Sequence, residues 1–210
     1  MGTKFANLHI KTINHEVILD ALQRLSNKAG SILATPDYSA MSIIDQYVYR
    51  SSNEKQINKT ASSVSFYLNQ EMSWSNVLND HFSWGTVEQI GELLSNFVSE
   101  PVMTIGFFDE DIFEFTLFQE GEIKTKKYFC EEWAIEEYGL VSEVIDLDYL
   151  ESVLELNHEE ITKLLELRNP EQAIDELSRM IQINLWVHSE WISEDNEIEE
   201  RYSKLELKIM

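Results

Sequence analysis

Val102-Met103-Thr104-Ile105-Gly106-Phe107-Phe108, Asp109-Glu110-Asp111, Ile112-Phe113-Glu114-Phe115-Thr116-Leu117-Phe118-Gln119: this stretch decides the fold. Two runs rich in β-branched and aromatic residues flank three acids, the pattern of a β-hairpin turned at Asp109-Glu110-Asp111. In the second run Phe113, Phe115 and Leu117 fall on one face of the strand, and Glu114 and Thr116 on the other. Glu120-Gly121 marks a further turn, and Ile123 to Phe129 adds one more strand.

Upstream of the hairpin, Trp74 to Asp80 reads as a strand. Ser83 or Thr86 is placed to cap a helix that turns Val87, Ile90, Leu94 and Phe97 inward, with Pro101 closing its exit. Sliding the chain on itself by 69 residues sets Phe5-Ala6-Asn7-Leu8 on Trp74-Ser75-Asn76-Val77 and continues without a gap to residues 25–27 on 94–96. The first copy then reads as a strand over 5–12 and a helix capped by Asn14 with Val17, Ile18, Ala21, Leu22 and Leu25 on one face. Strands at Met41 to Arg50 and Val64 to Asn69 complete it. The expectation is a tandem β-α-β-β repeat, copies about 5–70 and 74–129, forming a largely antiparallel sheet with helices packed on it.

From about Glu131 the apolar period becomes helical. Asp146 or Asp148 caps a helix carrying Leu147, Leu150, Val153 and Leu154, and Asn157 starts the next with Ile161, Leu164 and Leu165. Asn169-Pro170-Glu171 combines a cap, a proline at the first helical position and an acid in the first turn. The stripe Ile174, Leu177, Ile181 and Leu185 continues that helix toward Trp186 and Trp191. Leu205, Leu207 and Ile209 alternate as in a short terminal strand. The fold class is therefore α+β, with a sheet domain over 1–130 and a helical cap over 131–210 that covers the other face of the sheet or its end.

The cap is also where the charge lies. The 210 residues carry a net −22; residues 1–130 hold 16 acids against 10 bases, a net of −6, and residues 131–210 hold 22 against 6, a net of −16. Direct binding to nucleic-acid phosphates needs a Lys/Arg footprint that this sequence does not supply. No apolar run is long enough to span a bilayer, so no membrane role is read. The lone Cys130 forms no intrachain disulfide, and the first residues lack the apolar core of a signal peptide, which points to the cytoplasm.

Catalytic motifs are missing. Seven glycines form no phosphate loop and no nucleophile elbow, and His9, His15, His81, His158 and His188 are too scattered to give a metal-binding pair on one helix. No catalytic residue, cofactor site or metal site is assigned. His188 and Glu190, two apart, would point to different sides of a helix. Asp109-Glu110-Asp111 has oxygens suited to Ca²⁺ or Mg²⁺, but Glu114 stands where an EF-hand loop requires glycine, so a solvated turn is expected. Cys130, beside Glu131-Glu132, is expected to be inert because neighbouring carboxylates raise a thiol's pKa. Most aromatic residues belong in the core. Trp191, between Glu190 and the acidic run 194–201, is the one expected to be exposed.

Residues 74–128 carry a further pattern: Trp74, Gly85-Thr86-Val87 at a helix start, Leu94-Ser95 near its end, Pro101-Val102, Phe108-Asp109-Glu110-Asp111, then Phe113 to Phe118. Over this stretch the chain resembles a group of uncharacterised bacterial cytosolic proteins. The resemblance implies a bacterial cytosolic origin and brings no established activity and no catalytic residues.

The functional expectation is a non-enzymatic, acidic protein-interaction module, of the immunity or antitoxin type, that presents carboxylates to a basic protein. Its candidate surface is Asp109, Glu110, Asp111, Glu190, Trp191, Glu194 and Asp195. The alternative is a small-molecule or metal-binding protein, an enzyme at the extreme, with a pocket between sheet and cap where His81, Asp109 and His188 converge. A homodimer through a sheet edge or aromatic patch is compatible with either.

Overall fold

The computed structural model describes residues 2–34, 63–140 and 143–209. Its strands are β1 (Lys4–Ile10), β2 (Ser63–Glu71), β3 (Trp74–Leu78), β4 (Val102–Phe108), β5 (Ile112–Gln119), β6 (Glu122–Cys130) and β7 (Ser203–Lys208). Among the described residues they form one sheet in the order β6-β5-β4-β1-β3-β2-β7, with every neighbouring pair antiparallel. The helices are α1 (His15–Ala34), α2 (Val87–Ser95), α3 (Glu132–Glu137), α4 (Leu147–Leu154), α5 (His158–Leu165), α6 (Pro170–Ile181) and α7 (Asn196–Arg201), with a 3₁₀ turn at Ser189–Ser193. The fold is α+β with a C-terminal helical region.

The hairpin β4–β5 anchors one half of the sheet. Asp109 and Glu110 both adopt left-handed backbone, φ 52° and 59°, and Asp111 N donates to Phe108 O at 3.0 Å. That is a type I′ turn, whose twist matches the strands it joins. The central strands run β4-β1-β3-β2, with β1 linked to β2 across α1 and β3 to β4 across α2. This is the connectivity of a split β-α-β unit. Leu8, which the 69-residue offset sets on Val77, stands opposite Val77 in the β1–β3 ladder. The expected strand Met41 to Arg50 lies outside the described residues.

Alternation along β1 sorts the two faces. Ala6, Leu8 and Ile10 join a core with α1 and α2, whereas Phe5 joins a second core with Phe107, Phe113, Leu150, Ile174 and Leu185. The sheet is thus covered on both sides, the β-α-β helices on one and the C-terminal elements on the other. Gly91 lets α2 approach β4 closely, because a Cβ there would fall inside contact distance of Thr104 Cγ2 and Phe118.

The C-terminal helices start where their caps place them. Asp146 accepts from Tyr149 N, Asn157 and Glu160 form a capping box, and Asn169 accepts from Gln172 N ahead of Pro170. One expectation is corrected: α6 does not continue to Leu185. It stops at Ile181, where Gln182 turns left-handed at φ 57°. Residues 183–188 then run outside any helix with Ile183, Leu185 and Val187 buried at every second position. Residues 203–208 return to the sheet as β7, paired with β2.

Candidate functional site

The segment 183–188 is held to the sheet by Asn7, a fully buried polar residue of β1. Its Nδ2 donates to Leu185 O at 2.9 Å and to Val187 O at 3.1 Å. These two carbonyls fix the amide's orientation, so its Oδ1 faces His9 Nε2 at 2.7 Å and His9 must donate there. His9 is then neutral with a bare Nδ1, in keeping with a pKa that burial lowers to about 3. Glu71 accepts from Asn184 N at 2.7 Å, and Trp186 donates through its ring nitrogen to Asp175 at 2.6 Å.

This anchoring delivers His188 to the start of the 3₁₀ turn. The Glu190 backbone N–H donates to His188 Nδ1 at 3.3 Å, and Glu190 Oε2 lies 3.9 Å from the same nitrogen. The sequence expectation that residues 188 and 190 point apart is therefore corrected, because they belong to a cap and a 3₁₀ turn rather than to an α-helix. Burial lowers the pKa of His188, against the opposing charges of Glu190 and Asp80. The Glu190 carboxylate thus approaches this buried imidazole. After the turn, Asp195 Oδ1 accepts from Glu197 N at 2.8 Å and Ile198 N at 3.3 Å, starting α7.

Beside the turn lies a cleft of about 670 Å³ lined by Tyr67, Asp80, Ser189, Glu190, Ile192, Ser193, Glu194 and Glu199. Four of these residues are carboxylates, all exposed, and none is basic. They come from the turn after β3, the 3₁₀ turn with the residue after it, and α7. Lys204 is the neighbouring cation, its Nζ 5.9 Å from the centre of the Tyr67 ring. Ser189 is 5% exposed, and its buried hydroxyl has no hydrogen-bond partner. Among the described residues no three His, Cys, Asp or Glu side chains cluster closely enough to hold a metal ion.

The sequence candidates divide between this cleft and elsewhere. Glu190 and Glu194 line it, and Asp195 caps the helix that carries Glu199. Trp191 is not exposed as expected but half-buried, its ring 5.6 Å from Phe5 and 6.2 Å from His188, because the 3₁₀ turn folds it back onto the sheet. The acidic turn of the hairpin is committed locally: Asp109 pairs with Lys4 at 3.1 Å, Glu110 accepts from Thr3 N at 2.7 Å, and Asp111 accepts from Tyr138 OH at 2.7 Å. The last bond raises the tyrosine's pKa to about 12. Among the described residues no contact joins Asp109 to His81 or His188. Cys130 is buried, and burial followed by the Glu143 charge pushes its thiol pKa up.

Asp80, Glu199 and Tyr67 were not read from the sequence. Only the acidic run 194–201 signalled Glu199. A second buried group was also missed. Lys126 Nζ lies 2.5 Å from Glu88 Oε2 and 3.3 Å from Glu114 Oε1, under α2, with the Lys126 and Glu114 side chains each 7% exposed. Burial, reinforced by a hydrogen bond with Glu88, raises Glu114 to about 7.

No family model, curated protein or solved structure matches this chain. Among the described residues no helix is long and apolar enough to cross a membrane.

Proposed function

We propose that the protein is a non-enzymatic, acidic protein-interaction module that engages and restrains a basic partner protein in the bacterial cytoplasm, in the manner of an immunity protein or antitoxin. The observation that carries this reading is the cleft beside the 3₁₀ turn, where Asp80, Glu190, Glu194 and Glu199 gather without a basic side chain in the lining. Elsewhere acids of the cap are partly matched within the chain, as in Lys163 with Glu159, Arg168 with Glu132 and Arg179 with Glu176. Unmatched carboxylates around a concave surface focus a negative field, which speeds encounter with a basic protein and fixes its register.

The test is affinity capture at low ionic strength, followed by reconstitution of the captured protein with purified chain. The reading expects a basic partner whose affinity falls with added salt and falls again when Glu190 and Glu194 become Gln. A captured protein that is not basic, or that binds the variant and the parent equally at every salt concentration, refutes it.

A further inference from the structure

We propose that β7 is the seam of a homodimer, pairing antiparallel with β7 of a second copy about a two-fold axis that passes beside Leu207, normal to the sheet. The two ends of the sheet differ. At the β6 edge the chain closes its own strand: Lys126 N donates to Val144 O at 2.6 Å, Val144 N donates to Lys126 O at 3.1 Å, and Glu143 accepts from Tyr128 N at 3.0 Å. β7 pairs with β2 on one side. Among the described residues, the one group beyond β2 that bonds its backbone is Gln23 of α1, which donates to Lys208 O at 2.9 Å. A carbonyl keeps a second lone pair, and an edge strand with unpaired N–H and C=O groups is a template for another strand.

Two features make a second copy the occupant. The first is an apolar row. Leu205, Leu207 and Ile209 pack into the core beneath α1 but are only half-buried, so that core reaches the edge unfinished. An axis at Leu207 sets Leu207 on Leu207 and Leu205 on Ile209, and each copy completes the other's row. The second feature is charge. The opposite face carries Lys204, Glu206 and Lys208, all exposed. Glu206 accepts from Ser63 Oγ at 2.7 Å, and among the described residues neither lysine forms an ion pair, although the chain holds 38 acids against 16 bases. This order of signs is self-complementary in one family of registers. The axis at Leu207 places each Glu206 opposite Lys208 of the other copy, whereas an axis at Glu206 would set Glu206 on Glu206 and Lys204 on Lys208, like on like. An axis at Leu205 would match Glu206 with Lys204 but set Ile209 opposite Arg201, beyond the strand.

The experiment is sedimentation of the full chain over a range of concentrations, at about 0.15 M salt so that the mutual repulsion of two −22 chains is screened. A seam of six strand residues lies at the small end of specific interfaces, so the dimer should form reversibly as concentration rises. Glu206→Lys and Lys208→Glu should each weaken it about tenfold, because each turns two Glu–Lys pairs per dimer into like-charge pairs. The two changes together should restore the dimer to within about threefold of the parent, and Lys204→Glu alone should change it less than about twofold. All four side-chain changes are at exposed positions, and each variant should keep the parent's circular dichroism spectrum. A chain that stays monomeric at every concentration overturns the seam, as does a dimer indifferent to the charge changes. Rescue of Glu206→Lys by Lys204→Glu rather than by Lys208→Glu overturns the axis at Leu207.

Discussion

Replacing Glu114 by Gln should make the protein more stable above neutral pH and leave it nearly unchanged in acid. Glu114 is buried under α2 beside Glu88 and Lys126, and its pKa is raised from the ordinary 4.5 to about 7. The folded state therefore holds this proton more tightly than the unfolded chain does. An acid with a raised folded pKa contributes its stability in full below the unfolded value, and that contribution is lost as pH rises through about 7. A gap of about 2.5 pKa units at about 1.36 kcal/mol per unit gives roughly 3 kcal/mol. Glutamine keeps the shape and neutrality of the protonated acid, and Lys126 keeps Glu88 at 2.5 Å. The assay is urea unfolding of parent and variant at pH 5, 6, 7 and 8, with equal m-values required. The difference should be about 1 kcal/mol at pH 5, just above the unfolded pKa, and rise to about 3 kcal/mol in favour of the variant by pH 8. A difference flat to within about 0.5 kcal/mol across that range would refute the reasoning.

Two further substitutions test the scaffold under the cleft. Asn7→Ala deprives Leu185 O, Val187 O and His9 Nε2 of their partner and should cost about 2–4 kcal/mol in denaturant unfolding, with amide exchange accelerating first over residues 183–188. Gly91→Ala forces α2 off Thr104 and Phe118 and should cost about 1–3 kcal/mol, although alanine is the better helix former; a stabilised variant would show that α2 does not need its close seat on β4.

The parts of the fold legible in the sequence are those set by local chemistry. The three acids between two β-rich runs mark the hairpin, and Asn157 and Asn169-Pro170 mark helix starts, because turn and cap geometry are decided within a few residues. Residues 183–188 misled because Ile181 and Leu185 fit a helical stripe while Ile183, Leu185 and Val187 fit a period of two. The choice is made by left-handed Gln182 and by Asn7, which is nearly the whole chain away in sequence. Glu114 shows the same limit. Alternation placed it correctly on the strand face opposite the phenylalanines, but its burial depends on α2 and on Lys126 of the next strand. The cleft was the least legible, since Asp80 meets Glu190 and Glu199 only through the full sheet topology.

The central claim is that this cleft engages a basic partner protein. An amide chemical-shift titration of the full chain with a short basic peptide, acetylated and amidated tetra-arginine, tests it most directly. The account predicts saturable shifts centred on Asp80, Glu190, Glu194 and Glu199. Shifts centred on the outer faces of α5 and α6 with the cleft unmoved would contradict it.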